Sequence, residues 1–205
     1  MLIDTHSHIY TDDFNHDIDE VIQRAYDNDV KKIILPNIDS GSIKRLLDLS
    51  DSYPHLCYPL MGLHPTSVAE DYREEMEAVE YWLNKRKFYG IGEIGIDLYW
   101  EQSFLKEQQQ AFRHQIKLAK SFKIPIVIHL RNSFNEVYQI VEEEQDGNLR
   151  GIFHCFTGNS REAKKVIDVG FYLGIGGVLT FKNSTLDQVV QEVDIKNLVL
   201  ETDSP

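Results

Sequence analysis

Short apolar runs alternate with longer segments of helical periodicity along the whole chain. Eight runs predict β-strands, and the apolar residues between them recur every three or four positions, which predicts seven helices. The predicted strands are Met1–His8, Lys31–Asn37, Tyr58–His64, Tyr89–Asp97, Ile124–Arg131, Arg150–Phe156, Phe171–Gly177 and Asn197–Asp203. Regular alternation of strands and helices predicts parallel strand pairing through right-handed crossovers.

The number of these units indicates the fold class. Eight strands separated by helices suit an α/β fold of the closed (β/α)₈ TIM-barrel type better than an open doubly wound sheet. A dinucleotide-binding sheet would carry a glycine-rich phosphate-binding motif after its first strand, and the sequence has none there. No linker or low-complexity run divides the chain, so residues 1–205 are expected to form a single domain.

The end of the sequence modifies this expectation. The chain stops at Ser204-Pro205, directly after the eighth predicted strand, where a (β/α)₈ barrel normally continues into a helix. We therefore expect a shortened form of a longer protein in which this C-terminal helix is missing. The apolar side chains that such a helix would cover, Ile3, Leu198 and Leu200, are then expected to be exposed.

Composition excludes several classes of protein. The formal net charge of −12 argues against a broad basic surface that coats nucleic acid, although metals and a few local cations can still hold phosphates. The two cysteines, Cys57 and Cys155, form no C-x-x-C motif, which favours a reducing compartment. The sequence shows no signal peptide and no membrane-spanning run. We expect a cytoplasmic monomer without membrane association.

Five of the eight histidines lie near the ends of predicted strands, where barrel enzymes form their active sites. They are His6, His8, His64, His129 and His154. His6 and His8 are two residues apart, so both imidazoles would lie on the same face of a strand and could share one cation. The remaining three histidines fall in helices or connections and are expected at the surface.

Two carboxylates complete this set. Glu93 is expected at the end of the fourth strand, where its two oxygens could bridge two cations, and Asp203 ends the eighth strand. We expect one cation to be held by His6, His8 and Asp203 and a second by His129 and His154, with Glu93 between the two cations. This mixture of nitrogen and oxygen ligands suits Zn²⁺ or Mn²⁺, and Mg²⁺ less readily. Structural alternatives are a salt bridge from Glu93 to Arg131, a helix cap at Asp203 and packed core histidines.

The motifs around these residues closely resemble those of the TatD family of metal-dependent deoxyribonucleases. The matching stretches are Ile3–His8, Gly62–Pro65, Gly90–Asp97, Ile128–Arg131, Phe153–Gly158 and Leu200–Pro205. The resemblance implies a (β/α)₈ barrel, a divalent-metal site and 3′-to-5′ exonuclease activity on DNA, with some activity on RNA. It implies metal contacts from His6, His8, Glu93, His129, His154 and Asp203. It also implies that His64 and Arg131 hold the substrate phosphate. The chain departs from the family at Asn132-Ser133, where an acidic residue is common.

The expected reaction is hydrolysis of a phosphodiester by a water molecule that two divalent cations activate. Asp203 would act as the general base, with Glu93 as the second catalytic carboxylate. Three aromatic residues near the rim, Tyr99, Trp100 and Phe156, could stack a terminal base, with packing within loops as the alternative for each.

Two alternatives remain open at the sequence level. One is an amide or lactone hydrolase, because related barrels use the same metal arrangement, although many of those bridge their cations with a carboxylated lysine in place of Glu93. The other is a non-catalytic metal-binding scaffold, which the presence of every expected ligand disfavours.

Overall fold

The computed structural model of the protein describes residues 1–100 and 102–205, and this part contains eight strands alternating with seven α-helices. The strands are β1 (Leu2–Asp4), β2 (Val30–Leu35), β3 (Cys57–Pro59), β4 (Ile91–Asp97), β5 (Ile126–Arg131), β6 (Gly151–Phe153), β7 (Tyr172–Ile175) and β8 (Leu198–Leu200). The helices are α1 (Ile18–Asp27), α2 (Ile43–Ser52), α3 (Tyr72–Lys85), α4 (Leu105–Phe122), α5 (Phe134–Glu144), α6 (Ser160–Asp168) and α7 (Leu186–Glu192). All eight predicted strands are confirmed, but each is shorter than predicted.

All strand pairs are parallel, in the orders β1-β2-β3 and β4-β5-β6-β7-β8. Two further contacts join these sheets. Met61, just after β3, forms a parallel bridge with Ile91 of β4, and Ser7, just after β1, forms one with Ser204 after β8. The backbone N–H of Thr5 also donates to the carbonyl of Leu200 at 3.0 Å. The eight strands thus follow one another around a ring, which confirms the (β/α)₈ barrel class.

Apolar stripes on the helices cover this ring. On α4, the apolar stripe is buried at Phe112, Ile116 and Ala119. The start of α6 is fixed by Asn159, which accepts hydrogen bonds from the first turn, and by Glu162, which closes a capping box. No described helix is both long and apolar enough to cross a membrane.

The core divides into two clusters of buried side chains. The larger is centred on β4 and β5 and on helices α3 to α7. The smaller packs β2, the start of β3 and the segment after β1 against α1 and α2, and it includes Tyr10 and Leu35. Packing below the strand ends therefore holds the connections at the carboxyl-terminal mouth of the barrel in fixed positions.

The face formed by β1 and β8 is partly uncovered. Ile3 is 38% exposed and Leu200 is 56% exposed, as predicted. Leu198 is only half-buried rather than fully exposed, because it packs against the larger core cluster.

Candidate metal centre

Glu93 occupies the centre of a group of imidazoles at the mouth of the barrel. It lies inside β4 rather than at its end, because the strand continues to Asp97. Its side chain is buried, and its backbone N–H donates to the carbonyl of Asn37, just after β2, at 3.1 Å. The side chain of Asn37 donates in turn to the carbonyl of Gly62 at 2.8 Å. These contacts fix Glu93 so that its two oxygens face different groups of histidines.

One group faces Glu93 Oε2. The Nε2 atoms of His6 and His8 lie 3.1 and 3.3 Å from this oxygen and 3.1 Å from each other. Asp203 Oδ1 lies 3.7 Å from His6 Nε2. The backbone N–H of Asp203 donates to the carbonyl of His6 at 2.9 Å, so pairing between the ends of β1 and β8 brings these residues together. We refer to His6, His8 and Asp203 as the Oε2 side.

The second group faces Glu93 Oε1. His129 Nδ1 lies 2.6 Å from this oxygen, His154 Nε2 3.1 Å and His64 Nε2 3.5 Å. The approach of β5 to β4 requires Gly95, which has a φ of +149°, because a Cβ there would collide with the carbonyl oxygen of His129. We refer to His64, His129 and His154 as the Oε1 side.

His154 also connects the two sides. Its ring stacks on that of His6 with centroids 3.6 Å apart, whereas the centroids of His129 and His154 are 6.0 Å apart. The compact sets of three potential ligands are His6, His8 and Asp203; His6, Glu93 and His154; and His64, Glu93 and His129. The structure therefore brings all six sequence-predicted metal ligands together, and it adds His64 to the group.

Buried carboxylates support two imidazoles on the Oε1 side. His129 Nε2 lies 2.8 Å from Asp97 Oδ2, and Asp97 is fully buried. His154 Nδ1 has no hydrogen-bond partner among the described residues, but it lies 3.4 Å from Glu201 Oε1, an oxygen that accepts the backbone N–H of Cys155 at 2.5 Å. Carboxylates in this position orient a ligating imidazole and raise its basicity.

The Oε2 side has neutral support. His8 Nδ1 lies 3.1 Å from the Tyr10 hydroxyl, which donates its own hydrogen to the carbonyl of Pro36 at 2.6 Å. The hydroxyl oxygen therefore accepts from His8 Nδ1–H, which leaves the lone pair of Nε2 directed into the centre. His6 Nδ1 is buried and has no hydrogen-bond partner among the described residues.

His64 differs from the other imidazoles in its protonation. The backbone N–H of Thr66 donates to His64 Nδ1 at 3.2 Å. A neutral His64 must then carry its hydrogen on Nε2, the nitrogen that faces Glu93 and lies 3.2 Å from His129 Nδ1. His64 thus presents an N–H donor to the centre, whereas a metal ligand would present a lone pair.

Burial and close charges shift the pKa values of these groups in opposite directions. Burial opposes ionisation of Glu93, but the surrounding histidines outweigh it and hold its pKa well below the usual range. Burial alone would lower the pKa of His154, yet Glu93 and Glu201 raise it well above normal. Burial and the neighbouring His154 lower the pKa of His6 to about 4. Although burial favours the neutral acid, hydrogen bonds from His129 and two backbone N–H groups lower the pKa of Asp97 to about 2.

The spacing of the donor atoms fits a divalent cation. Ligands about 2.1 Å from a tetrahedral metal lie roughly 3.4 Å from one another. The separations on the Oε2 side, 3.1 Å between His6 and His8, 3.3 Å from His8 to Glu93 and 3.7 Å from His6 to Asp203, bracket this value. In addition, a single Nε2 hydrogen on His6 cannot satisfy three acceptors, so a cation suits the cluster better than hydrogen bonds alone.

Arg131 lies at the rim of the site. Its guanidinium stacks on Tyr99 at 4.0 Å from the ring centroid and lies 5.4 Å from that of Trp100. This stacking replaces the alternative salt bridge to Glu93. Tyr99 and Trp100 are exposed, as a base-stacking role requires, but Phe156 is 1% exposed and belongs to the core. For Phe156 the packing alternative therefore holds, because its ring is inaccessible to a base.

Asp97 and Glu201 were missed as site residues by the sequence analysis. Both lie inside the motifs that carry the resemblance, and one pattern could have identified Asp97. Along β4, Glu93, Gly95 and Asp97 alternate onto the same face, so a second carboxylate follows the first into the mouth of the barrel. Glu201 gives a weaker signal, because its residue type is equally common on exposed strand faces.

Several known proteins are similar to this chain in sequence and architecture. The uncharacterized metal-dependent hydrolase YabD of Bacillus subtilis is 35% identical over 206 residues, which cover 100% of this chain and 80% of YabD. The crystal structure of YjjV, a TatD homologue from Escherichia coli, aligns with a TM-score of 0.91 at 29% identity and covers 98% of this chain and 78% of YjjV. A TatD family hydrolase from Entamoeba histolytica aligns with a TM-score of 0.85 at 25% identity, covering 98% and 73%.

The sequence also matches the family model described as TatD related DNase over residues 3–205. This range contains both sides of Glu93 and the two ends of the barrel that bring them together. A match of this extent shows that the chain belongs to the family of TatD related DNases.

Proposed function

We propose that this protein is a metal-dependent phosphodiester hydrolase that removes nucleotides from the 3′ end of DNA with two divalent cations, Zn²⁺, Mn²⁺ or Mg²⁺. The division of ligands around Glu93 carries the proposal. Oε2 faces His6 and His8, while Oε1 faces His129 and His154, so one carboxylate can contact two cations. When bound, the cations would supply the positive charge that polarises a phosphodiester and favours ionisation of water.

Asp203 is suited to the role of general base. Its side chain is 40% exposed, whereas those of His6 and Glu93 are buried. Water can therefore reach the Asp203 carboxylate, and its position beside His6 keeps it next to the ligands of the Oε2 side. A carboxylate at this point can orient a water molecule and accept its proton during attack on phosphorus.

Substrate contacts are proposed for the two residues that the resemblance assigns to phosphate. His64 presents an Nε2–H donor toward the centre, which matches a nonbridging phosphate oxygen. Arg131 presents a planar guanidinium at the rim, and the adjacent Tyr99 and Trp100 offer exposed rings to a terminal base. Because the chain carries a net charge of −12, we expect few phosphate contacts beyond this site.

The test is to incubate metal-replete protein with single-stranded DNA and RNA labelled at either end, beside a panel of amides and lactones. Stepwise shortening from the 3′ end of DNA, lost after chelation and restored by added cation, is the expected result. His129→Ala should lose this activity, whereas His114→Ala, which removes an exposed histidine paired with Glu80, should retain it. Hydrolysis restricted to amides or lactones would contradict the proposal, and so would cation binding without any hydrolysis.

A further inference from the structure

Asp97 connects two parts of the site through its two carboxylate oxygens. Oδ2 lies 2.8 Å from His129 Nε2, while Oδ1 accepts the backbone N–H groups of Tyr99 and Trp100, both at 2.8 Å. Its own backbone N–H donates to Gln108 Oε1 at 2.8 Å. Asp97 is fully buried, so both oxygens are committed to these partners and exchange with water is blocked.

An ionised carboxylate can only accept hydrogen bonds. The contact with Oδ2 therefore places the hydrogen of a neutral His129 on Nε2 and leaves a lone pair on Nδ1, which points at Glu93 Oε1 from 2.6 Å. From this geometry, we infer that Asp97 is a positioning residue that fixes His129 in its cation-binding tautomer. The same carboxylate holds the loop of Tyr99 and Trp100, on which Arg131 stacks. The inference rests on the cation-binding part of the proposed function.

An asparagine at this position would reverse the tautomer. Oδ1 of the amide must stay with Tyr99 and Trp100, because turning the amide around would set its NH₂ group against two backbone donors to gain one contact. The NH₂ group then faces His129 Nε2, which must accept. The hydrogen of His129 moves to Nδ1, where it blocks the lone pair that would bind the cation.

A structural role and tautomer control predict opposite orders for the defects of Asp97→Asn and Asp97→Ala. Asp97→Asn keeps the size and the turn contacts, so a purely structural role predicts a milder defect than in Asp97→Ala. Tautomer control predicts the opposite order, because alanine leaves His129 free to adopt either form. We expect Zn²⁺ affinity on the Oε1 side to fall by about 10- to 100-fold in Asp97→Asn and by less in Asp97→Ala.

Two measurements test the inference. Calorimetric Zn²⁺ titration gives stoichiometry and affinity, and imidazole ¹⁵N shifts of the apo protein, recorded at an alkaline pH where His129 is neutral, identify its tautomer. The wild type should carry the hydrogen on Nε2, Asp97→Asn on Nδ1 and Asp97→Ala on both. The ¹⁵N shifts of the alanine variant decide the question if the asparagine variant does not fold, since an alanine variant that keeps Nε2–H alone would overturn the inference.

Asp146→Asn is a matched control. Asp146 Oδ1 accepts the backbone N–H groups of Asn148 and Leu149 at 2.9 and 3.1 Å, the same turn that Asp97 forms, but with no histidine on its other oxygen. This variant should change neither cation affinity nor the His129 tautomer. Unchanged affinity and an unchanged tautomer in Asp97→Asn would overturn the inference while leaving the proposed function intact. A wild type that binds no cation would instead refute the proposed function, and the ¹⁵N shifts would still decide the tautomer.

Discussion

On the Oε1 side of Glu93, each imidazole has a buried carboxylate behind it: His129 hydrogen-bonds to Asp97, and His154 Nδ1, without a hydrogen bond among the described residues, lies 3.4 Å from Glu201. On the Oε2 side, His8 is backed by a neutral hydroxyl and His6 Nδ1 has no partner among the residues described. On the Oε1 side, the additional negative charges therefore lie behind the imidazole rings. On the Oε2 side, the additional negative charge is that of Asp203, which lies directly beside His6.

This difference separates two tasks in the proposed hydrolase. An imidazole with a carboxylate behind it is a more basic ligand, and the two carboxylates on the Oε1 side are buried. The Oε1 side is thus built to hold a cation firmly. The Oε2 side exposes its carboxylate to water, so it can take part in proton transfer as well as in binding. Glu93 contacts both sides, so its removal should affect both.

The largest effect is expected for Glu93→Ala. This change removes the shared ligand, so neither side should retain a cation at micromolar metal, and hydrolysis should fall by about 10⁴-fold or more, as when a catalytic unit is removed. Metal analysis of purified protein and kcat/KM on labelled DNA measure the two losses. Glu77→Ala, which removes an exposed glutamate on α3, is the control and should match the wild type. Retention of one tightly held cation by Glu93→Ala would show that the sides are independent.

Asp203→Asn should impair the Oε2 side and leave the cation of the Oε1 side in place. The amide cannot accept a proton from water at neutral pH, so kcat should fall by roughly 10²- to 10⁴-fold. The Oε1 side does not contain Asp203, and its cation should remain, with His129 and His154 unperturbed in NMR spectra. A rate within a few-fold of the wild type in metal-replete protein would exclude Asp203 as the base.

Acidification should empty the Oε1 side first. A ligand nitrogen must lose its proton to bind metal, so affinity falls by about tenfold per pH unit below the pKa of each ligand. Burial is outweighed by nearby carboxylates at His129 and His154, whose pKa values are raised, whereas burial lowers the pKa of His6 to about 4. As the pH falls, protons therefore compete earliest on the Oε1 side.

Stepwise measurement of bound Zn²⁺ against pH tests this order. His129→Ala, which leaves the Oε2 side complete, should hold its remaining cation to a lower pH than Asp203→Asn holds its own. The reverse order would show that acid empties the Oε2 side first and would contradict the prediction.

The positions of the potential ligands could be predicted because barrel geometry brings all strand ends to one rim. The pattern of apolar and polar residues, however, did not show where each strand ends. At Met1–His8 and Tyr58–His64 the predicted strands continue past the ladder, which stops at Asp4 and Pro59. The residues that follow leave the strand ladder and reach the site. Their residue types do not change at the point where the strand hydrogen bonds end, so the sequence does not mark that point.

The groups behind the imidazoles were harder to predict. Asp97 approaches His129 from a neighbouring strand, and its role depends on which nitrogen faces it. The charges of the acidic residues are visible in the sequence, but the direction of each imidazole is set by tertiary contacts. Tyr10 is a still weaker signal, because an aromatic residue after a strand is usually part of the core, as Tyr10 also is.

Tyr10→Phe should give the smallest effect and sharpens the comparison between charged and neutral support. Burial raises the pKa of Tyr10, so its hydroxyl is neutral, and phenylalanine removes one neutral hydrogen bond to His8 Nδ1. Such a bond contributes about 0.5–1.5 kcal/mol, which corresponds to at most roughly a tenfold loss of cation affinity on the Oε2 side. The carbonyl of Pro36 also loses its donor, so the free energy of unfolding should fall by about 1–3 kcal/mol. Zn²⁺ titration and urea denaturation measure these effects, with Tyr81→Phe, an exposed tyrosine on α3, as the control. If Tyr10→Phe weakened cation binding as much as Asp97→Asn, the neutral hydroxyl would support its imidazole as strongly as the carboxylate does, and the difference between the two sides would have no energetic meaning.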